Sequence, residues 1–428
     1  MASSTNRPNL IFFLSDDQGW TDVDWRDSAI PTPHLDGLRR GGVEFMAHYT
    51  APVCSPTRAS LLTGRAWSRF GILVPNSRQC LPAGTPTLAS ELKAAGYRTG
   101  LTGKWHLGGV DLADKRPSAF GFDYTYGCLD GYAHPYTHEY SPGGQPARGA
   151  KKTWHRQGEL IEEDGHVTDL IQREAVAFIE ASREQPFFLY VPFTAPHVTC
   201  VEPPEWLARV PGVSPDRQSY AAMVTHMDAA IGRIIDAVDR AGIRERTLLV
   251  FASDNGGALD GGGRNEPFRA GKATMYEGGV RTVALANWPG RFVPGIVDAP
   301  VSVMDWMPTF CALAGHTPRT DLKWDGQDIS PALLGRGKAQ SDRCIYGLSK
   351  KAAMVRQGDW KLIVHKPQRA GEDISGQMEL YNLAQDPGES ADCAATQAPI
   401  LRKLSKAMAE QMKRDNDSVC RHIGGPLS

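Results

Sequence analysis

Several features that would assign a chain quickly are missing from these 428 residues. The eight cysteines (Cys54, Cys80, Cys128, Cys200, Cys311, Cys344, Cys393, Cys420) are scattered singly. No Cys-x-x-Cys pair is present, which argues against a structural zinc cluster, and an even count is weak support for disulfides in a chain this long. Charge of one sign is lacking too: 47 Lys and Arg stand against 48 Asp and Glu, a net charge of -1. The overall balance therefore recruits neither nucleic acid nor an anionic membrane surface. There is no internal repeat and no low-complexity segment. The N-terminus, Met1 to Pro8, is polar, and the apolar run Leu10 to Leu14 is too short for a signal-peptide core or a membrane span. As written the chain reads as cytoplasmic, or as a secreted or periplasmic protein whose leader has been replaced. One Asn-x-Ser triplet, at Asn416, is no more than chance supplies.

What the chain does have is a set of short apolar runs that end in polar residues. Asn9 to Leu14 reads as a buried strand and runs into Ser15-Asp16-Asp17-Gln18-Gly19. Two adjacent carboxylates at a strand end suit a hard divalent cation, although an isolated Asp-Asp pair is more often a solvated turn. Thr247 to Ala252 is the clearest strand and ends in Ser253-Asp254-Asn255-Gly256-Gly257, which offers two more oxygen donors. Tyr97 to Thr102 leads to Lys104 and His106, which alternation puts on one face while Trp105 packs. Pro186 to Phe193 leads to Ala195-Pro196-His197.

Between these runs lie helical patterns: Thr32 to Arg40, Leu88 to Ala95 stopped by Gly96, Asp169 to Ala181, and Ser219 to Ala241 with its stripe of Met223, Met227, Ile231, Ile234 and Val238. Gly108 to Glu163 is rich in Gly, Pro, Tyr and His and reads as long loops, with His134, Tyr136, His138, Trp154 and His155 as candidate substrate contacts. After a linker beginning at Trp324 to Asp328, short strands at Cys344 to Leu348, Ala352 to Arg356, Trp360 to His365 and Met378 to Asn382 form a small antiparallel sheet covered by a helix, Ala398 to Asp415. The expected organisation is α/β, with a large domain over 1–335 and a small one over 336–428.

The segment around which this is arranged is Cys54-Ser55-Pro56-Thr57-Arg58-Ala59-Ser60-Leu61-Leu62-Thr63-Gly64-Arg65. Proline disfavours helix at the residue before it, so Cys54 and Ser55 are expected to be extended or turning, with Arg58 at the start of a helix. A helix N-terminus and a guanidinium together suit a tetrahedral oxyanion. Val43 to Tyr49 is the strand that delivers Cys54. A Gly-rich, basic stretch, Arg264 to Gly279, contains Phe268-Arg269-Ala270-Gly271-Lys272.

Cys-x-Pro-Thr-Arg followed by Leu-Thr-Gly-Arg resembles the defining motif of the type I, formylglycine-dependent sulfatases. Gly96-Tyr97-Arg98-Thr99-Gly100-Leu101-Thr102-Gly103-Lys104-Trp105-His106-Leu107-Gly108 resembles the second motif of the same family. The resemblance implies an alkaline-phosphatase-like α/β/α sandwich with a large mixed sheet and a small C-terminal subdomain. It implies that Cys54 is oxidised to formylglycine by a formylglycine-generating enzyme. It further implies one calcium ion held by Asp16, Asp17, Asp254, Asn255 and the modified Cys54.

Catalysis would fall to Cys54, Arg58, Lys104, His106, His197 and Lys272. Arg58 and Lys104 would hold the hydrated formylglycine, Asp254 would help deprotonate it, His197 and Lys272 would serve the leaving oxygen, and His106 would take the proton of the second hydroxyl. Asp254 to Gly257 and Lys272 to Val280 are most similar to the arylsulfatase B group, which removes 4-sulfate from N-acetylgalactosamine. The implied activity is hydrolysis of aryl sulfates and sulfated sugars. The alternatives are a phosphomonoester or phosphonate monoester hydrolase of the same superfamily and a non-catalytic binding protein of the same fold.

Overall fold

A computed structural model describes residues 7–27, 29–75, 81–141, 150–317, 323–370 and 373–415. Cys80, Asn416 and Cys420 lie outside the described residues. The first strand, Asn9–Ser15, is buried along its whole length because both of its faces are covered. Leu10, Phe12 and Leu14 enter one apolar cluster, Ile11 and Phe13 the other, as the two-residue period of a strand requires. Helices Cys54–Thr63, Leu88–Ala94 and Trp306–Leu313 pack on the first face. Helices Pro33–Arg40, Val167–Glu180 and Pro215–Arg240 pack on the second.

The ten-stranded sheet between them runs in the order Gly295–Val297, Val43–Phe45, Ala284–Asn287, Thr247–Ser253, Asn9–Ser15, Phe187–Pro192, Arg98–Thr102, Tyr124–Cys128, Trp154–Arg156, Glu159–Leu160. From Thr247–Ser253 to Tyr124–Cys128 the neighbours are parallel, so their carboxyl ends share one edge of the sheet. That edge is where open α/β sheets collect ligands.

Three expectations need correcting. Val43 to Tyr49 is not one strand: Val43–Phe45 belongs to the large sheet, while His48–Tyr49 pairs with Arg281–Thr282 and Val301–Ser302 in a separate three-stranded sheet. Cys54 and Ser55 are helical rather than extended or turning, because Val53 is the extended N-cap and Pro56 falls in the first turn, where its missing N–H costs nothing. Arg58 consequently sits in the second turn. Finally, Gly108 to Glu163 is not all loop: Tyr124–Cys128, Trp154–Arg156 and Glu159–Leu160 extend the large sheet, with Tyr126, Cys128 and Trp154 buried in its core.

The antiparallel sheet Cys344–Leu348, Ala352–Gln357, Trp360–Ala370, Asp373–Asn382 follows the expected pattern. One face (Leu348, Val355, Leu362, Val364) is covered by Leu404, Met408 and Ala409 of helix Ala398–Arg414. The other face (Ile345, Met354, Ile363, Tyr381) packs on Tyr49, Met275 and Val280 of the large domain. Trp324 to Asp328 is fastened down: Asp325 N and Gly326 N donate to Gly64 O at 2.9 and 3.0 Å, and Asp325 pairs with Arg69 at 2.9 Å. Among the described residues no helix is long and apolar enough to cross a membrane.

Candidate active site

Parallel pairing of Ser15 with Ser253 sets Asp16-Asp17 beside Asp254-Asn255. Asp254 N donates to Ser15 O at 3.0 Å, Asp17 N to Asp254 Oδ1 at 3.2 Å, and Asn255 Nδ2 to Asp17 Oδ1 at 2.8 Å. All four side chains are buried. Two of their oxygens, Asp16 Oδ1 and Asn255 Oδ1, have no hydrogen-bond partner among the described residues. Donor atoms of Asp16, Cys54 and Asp254 lie within 4.8 Å of one another. Such a set, oxygen-rich and with orphaned acceptors, fits a hard cation of the calcium or magnesium kind.

The cations of the sequence motifs converge on these carboxylates. Arg58 Nη2 donates to Asp254 Oδ2 at 2.8 Å and Nη1 to Lys104 O at 2.9 Å, so one guanidinium ties the helix to two strand ends. Lys104 Nζ reaches Asp16 Oδ2 at 2.6 Å, and Lys272 Nζ reaches Asp17 Oδ2 at 2.5 Å. Gly103 makes the entry of Lys104 possible: its φ is 137°, and a Cβ there would lie 1.9 Å from Pro192 O. Lys104 and His106 are both buried, and Trp105 is packed under Phe120 as alternation implies.

The electrostatics separate the groups. Burial pushes the Asp254 carboxyl up to about 7, with Asp16 adding to the effect, while Asp17 falls to about 2 because Lys272 and His197 outweigh its burial. Burial also raises the Cys54 thiol, so as a plain cysteine it is not poised as a thiolate. Lys104 and Lys272 are both raised: burial opposes their charge, but Asp16 and Asp17 respectively overcome it.

His197 Nδ1 meets Val198 O at 2.6 Å, which assigns it the proton and leaves Nε2 facing Asp17 Oδ2 at 3.6 Å. Burial lowers this imidazole to about 4. His106 lies well below the ordinary histidine value through burial and then Lys104 and Arg58, and its Nδ1 has no partner among the described residues.

Of the loop candidates, most are structural. Trp154 donates to Tyr126 Oη at 3.1 Å under the sheet, and His138 stacks on it at 4.9 Å. His155 is buried and accepts from Gly158 N at 3.1 Å, and His134 Nδ1 accepts from Tyr136 N and Thr137 N at 3.2 Å. Only Tyr136, at 42% exposure, stays at the surface. The residues of this stretch that touch the site were not singled out: Gly131, where a Cβ would lie 2.5 Å from His106 Nε2, and Tyr132, whose ring lies 5.8 Å from that of His197. Asn265 was also missed, though it binds Gly257 N, Gly257 O and Ala270 O at 2.9, 3.1 and 3.1 Å and so joins the Asp254 and Lys272 segments.

A second cluster, His166, Glu202 and His226, also brings donor atoms within 4.8 Å. Its hydrogen bonds assign it differently. His226 bridges Glu202 Oε2 at 2.8 Å and Asp169 Oδ1 at 3.3 Å, as an imidazolium between carboxylates does. His166 Nδ1 accepts from Thr168 N at 3.2 Å, which makes its Nε2 a donor rather than a metal ligand.

Taken together, the carboxyl edge of the mixed sheet forms a buried site for a tetrahedral oxyanion ester, with cationic arms on either side of residue 54. The sulfatase family model matches residues 8–316, and this chain belongs to the sulfatase family. It is 30% identical to arylsulfatase J of Mus musculus over 95% of this chain and 76% of that protein. It is 34% identical to N-acetylgalactosamine-6-sulfatase of Mus musculus over 91% of this chain and 82% of that protein. The solved structure of Ps i-CgsB in complex with k-i-k-neocarrahexaose superposes with a TM-score of 0.85 at 31% identity, covering 96% of this chain and 94% of that one. The fold is the alkaline-phosphatase-like sandwich of the sulfatases, and the protein is a sulfuric ester hydrolase of the arylsulfatase type.

Proposed function

We propose that the substrate is a sulfated carbohydrate, that residue 54 works as formylglycine, and that one calcium ion is held by Asp16, Asp17, Asp254, Asn255 and residue 54. The observation that carries this reading is the pair of orphaned oxygens, Asp16 Oδ1 and Asn255 Oδ1, beside a thiol that burial keeps protonated. The sugar is supported by the carbohydrate complex of the structural relative and by the galactosamine sulfatases among the curated ones. When present, calcium supplies positive charge against sulfate oxygens, and hydrated formylglycine supplies an attacking hydroxyl with a second one that permits release of sulfate.

The chain's own residues do the rest. Arg58 and Lys104, fixed by Asp254 and Asp16, hold the hydroxyls of residue 54. Asp254, held by Arg58, takes a proton from the attacking hydroxyl. Lys272 stays charged and donates to a sulfate oxygen and to the leaving oxygen. His197 presents a free Nε2, whose protonation an approaching sulfate anion favours, and passes that proton to the leaving oxygen. His106, with its partnerless Nδ1, receives the proton of the second hydroxyl.

Maturation requires a formylglycine-generating enzyme, which must act before folding is complete because Cys54 is only 1% exposed. Residues 1–335 serve as the catalytic domain and 336–428 as the smaller subdomain. Side-by-side turnover of an aryl sulfate, an aryl phosphate and sulfated galactosamine sugars tests the reading. Sulfate esters, sugars included, should be cleaved well ahead of phosphate, and preferential cleavage of phosphate would overturn it.

A further inference from the structure

The strand Trp360–Ala370 turns Leu362 and Val364 toward the C-terminal helix and Ile363 toward the catalytic domain. Lys361, on the same side as Ile363, is wholly buried there, with Nζ 2.8 Å from Glu277 Oε1 and 2.9 Å from Glu389 Oε1. Glu277 is anchored further by Tyr49 Oη at 2.7 Å and Arg281 Nη1 at 3.3 Å, and its backbone N donates to Glu389 Oε2 at 2.6 Å. Two glycines follow it, and they are the seat of the segment that carries Lys272.

Gly278 N donates to Arg269 O at 3.0 Å. A Cβ on Gly278 would lie 2.3 Å from Ala270 O, and one on Gly279 would lie 2.3 Å from Thr274 O and 2.6 Å from Gly271 O. The outer side of the same segment is held by Arg269 Nη1, which donates to Tyr381 Oη at 3.0 Å and Glu389 O at 2.9 Å. Tyr276 and Tyr381 both donate to Glu379, at 2.8 and 2.7 Å. Its inner side is tied to the turn before Cys54 by Ala273 N to Pro52 O at 2.7 Å.

We propose that Lys361 is a positioning residue for Lys272, so that the C-terminal sheet holds the 269–280 segment in register with the leaving oxygen; the inference rests on the role given to Lys272 above. A buried lysine shared by two carboxylates has one low-energy place to sit, and everything stacked on Glu277 inherits that place. Lys361 touches no substrate atom. Its effect travels through Glu277 and the glycine seat to Lys272 and thence to Asp17.

The test uses the full-length, calcium-loaded, modified enzyme and the variants Lys272→Ala, Lys361→Met, Glu379→Gln and Tyr381→Phe. The last two keep the proposal testable should Lys361→Met fail to fold. Turnover is measured over aryl sulfates of graded leaving-group pKa, and amide hydrogen exchange is followed over 269–280. The expected result is that each sheet variant speeds exchange at Ala273, Gly278 and Gly279. Each should also steepen the leaving-group dependence as Lys272→Ala does, with kcat falling about ten- to hundredfold for the poorest leaving group and little for the best. Unchanged exchange in 269–280 overturns the proposal whatever Lys272 does, and so does a uniform loss across the series, which is what a merely structural role gives. A flat dependence in Lys272→Ala itself would instead overturn the role of Lys272, leaving exchange to decide the clamp.

Discussion

The carboxyl edge of the large sheet and the C-terminal sheet both bear on the catalytic centre, but at different removes. At the edge, each polar residue is delivered by the element beside it: Asp16 and Asp17 by Asn9–Ser15, Asp254 and Asn255 by Thr247–Ser253, Lys104 by Arg98–Thr102. Lys361 acts at a remove, through Glu277, Glu389 and two glycines. Direct delivery makes function all-or-none at a position, whereas delivery through a packed seat makes it graded.

The contrast is sharpest at Asp17, which binds both Lys272 and Asn255. Asp17→Ala should bring turnover to background and empty the metal site. Metal analysis checks this, and zinc in place of calcium in the native protein would contradict the oxygen-donor assignment. Next in size is His106→Ala. It should release about one equivalent of alcohol in a burst and then turn over about 10²- to 10⁴-fold more slowly. If His197→Ala bursts and His106→Ala does not, the two histidines have been given each other's roles.

Leu404→Ala, under the far face of the C-terminal sheet, should cost about 2–5 kcal/mol in stability by leaving a cavity. Turnover per folded molecule and its leaving-group dependence should stay as in the native enzyme, which separates the sheet's stability from its hold on Lys272.

The smallest effect is expected at His226. Burial pushes it down, but Asp169 and Glu202 outweigh that and raise it. A histidine raised on folding stabilises fully below its unfolded value of about 6.5, and that contribution is lost as pH rises through the folded value. The melting temperature of the native protein should therefore decline from about pH 6.5 upward more steeply than that of His226→Gln.

How much of this was legible in the sequence follows from distance along the chain. Asp16-Asp17, Asp254-Asn255 and Lys104 with His106 could be read because each follows a buried strand by one to four residues, at the carboxyl edge where open α/β sheets collect ligands. Trp154 and His155 misled because an aromatic and a histidine in a Gly- and Pro-rich stretch look like loop residues, whereas they form a short outer strand. The helical start at Cys54 was hidden by the rule against helix before proline, which the first turn relaxes. Glu277 and Lys361 gave no local signal at all: a buried ion pair spanning 84 positions can be recognised only once both ends are folded.

The most direct measurement is the state of residue 54 against turnover. Preparations with graded modification should be assayed on an aryl sulfate, while peptide mass analysis gives the fraction in which Cys54 has become formylglycine, lighter by about 18 Da. The account predicts turnover proportional to that fraction and absent in Cys54→Ala. Full turnover in protein whose Cys54 remains wholly a thiol would contradict it.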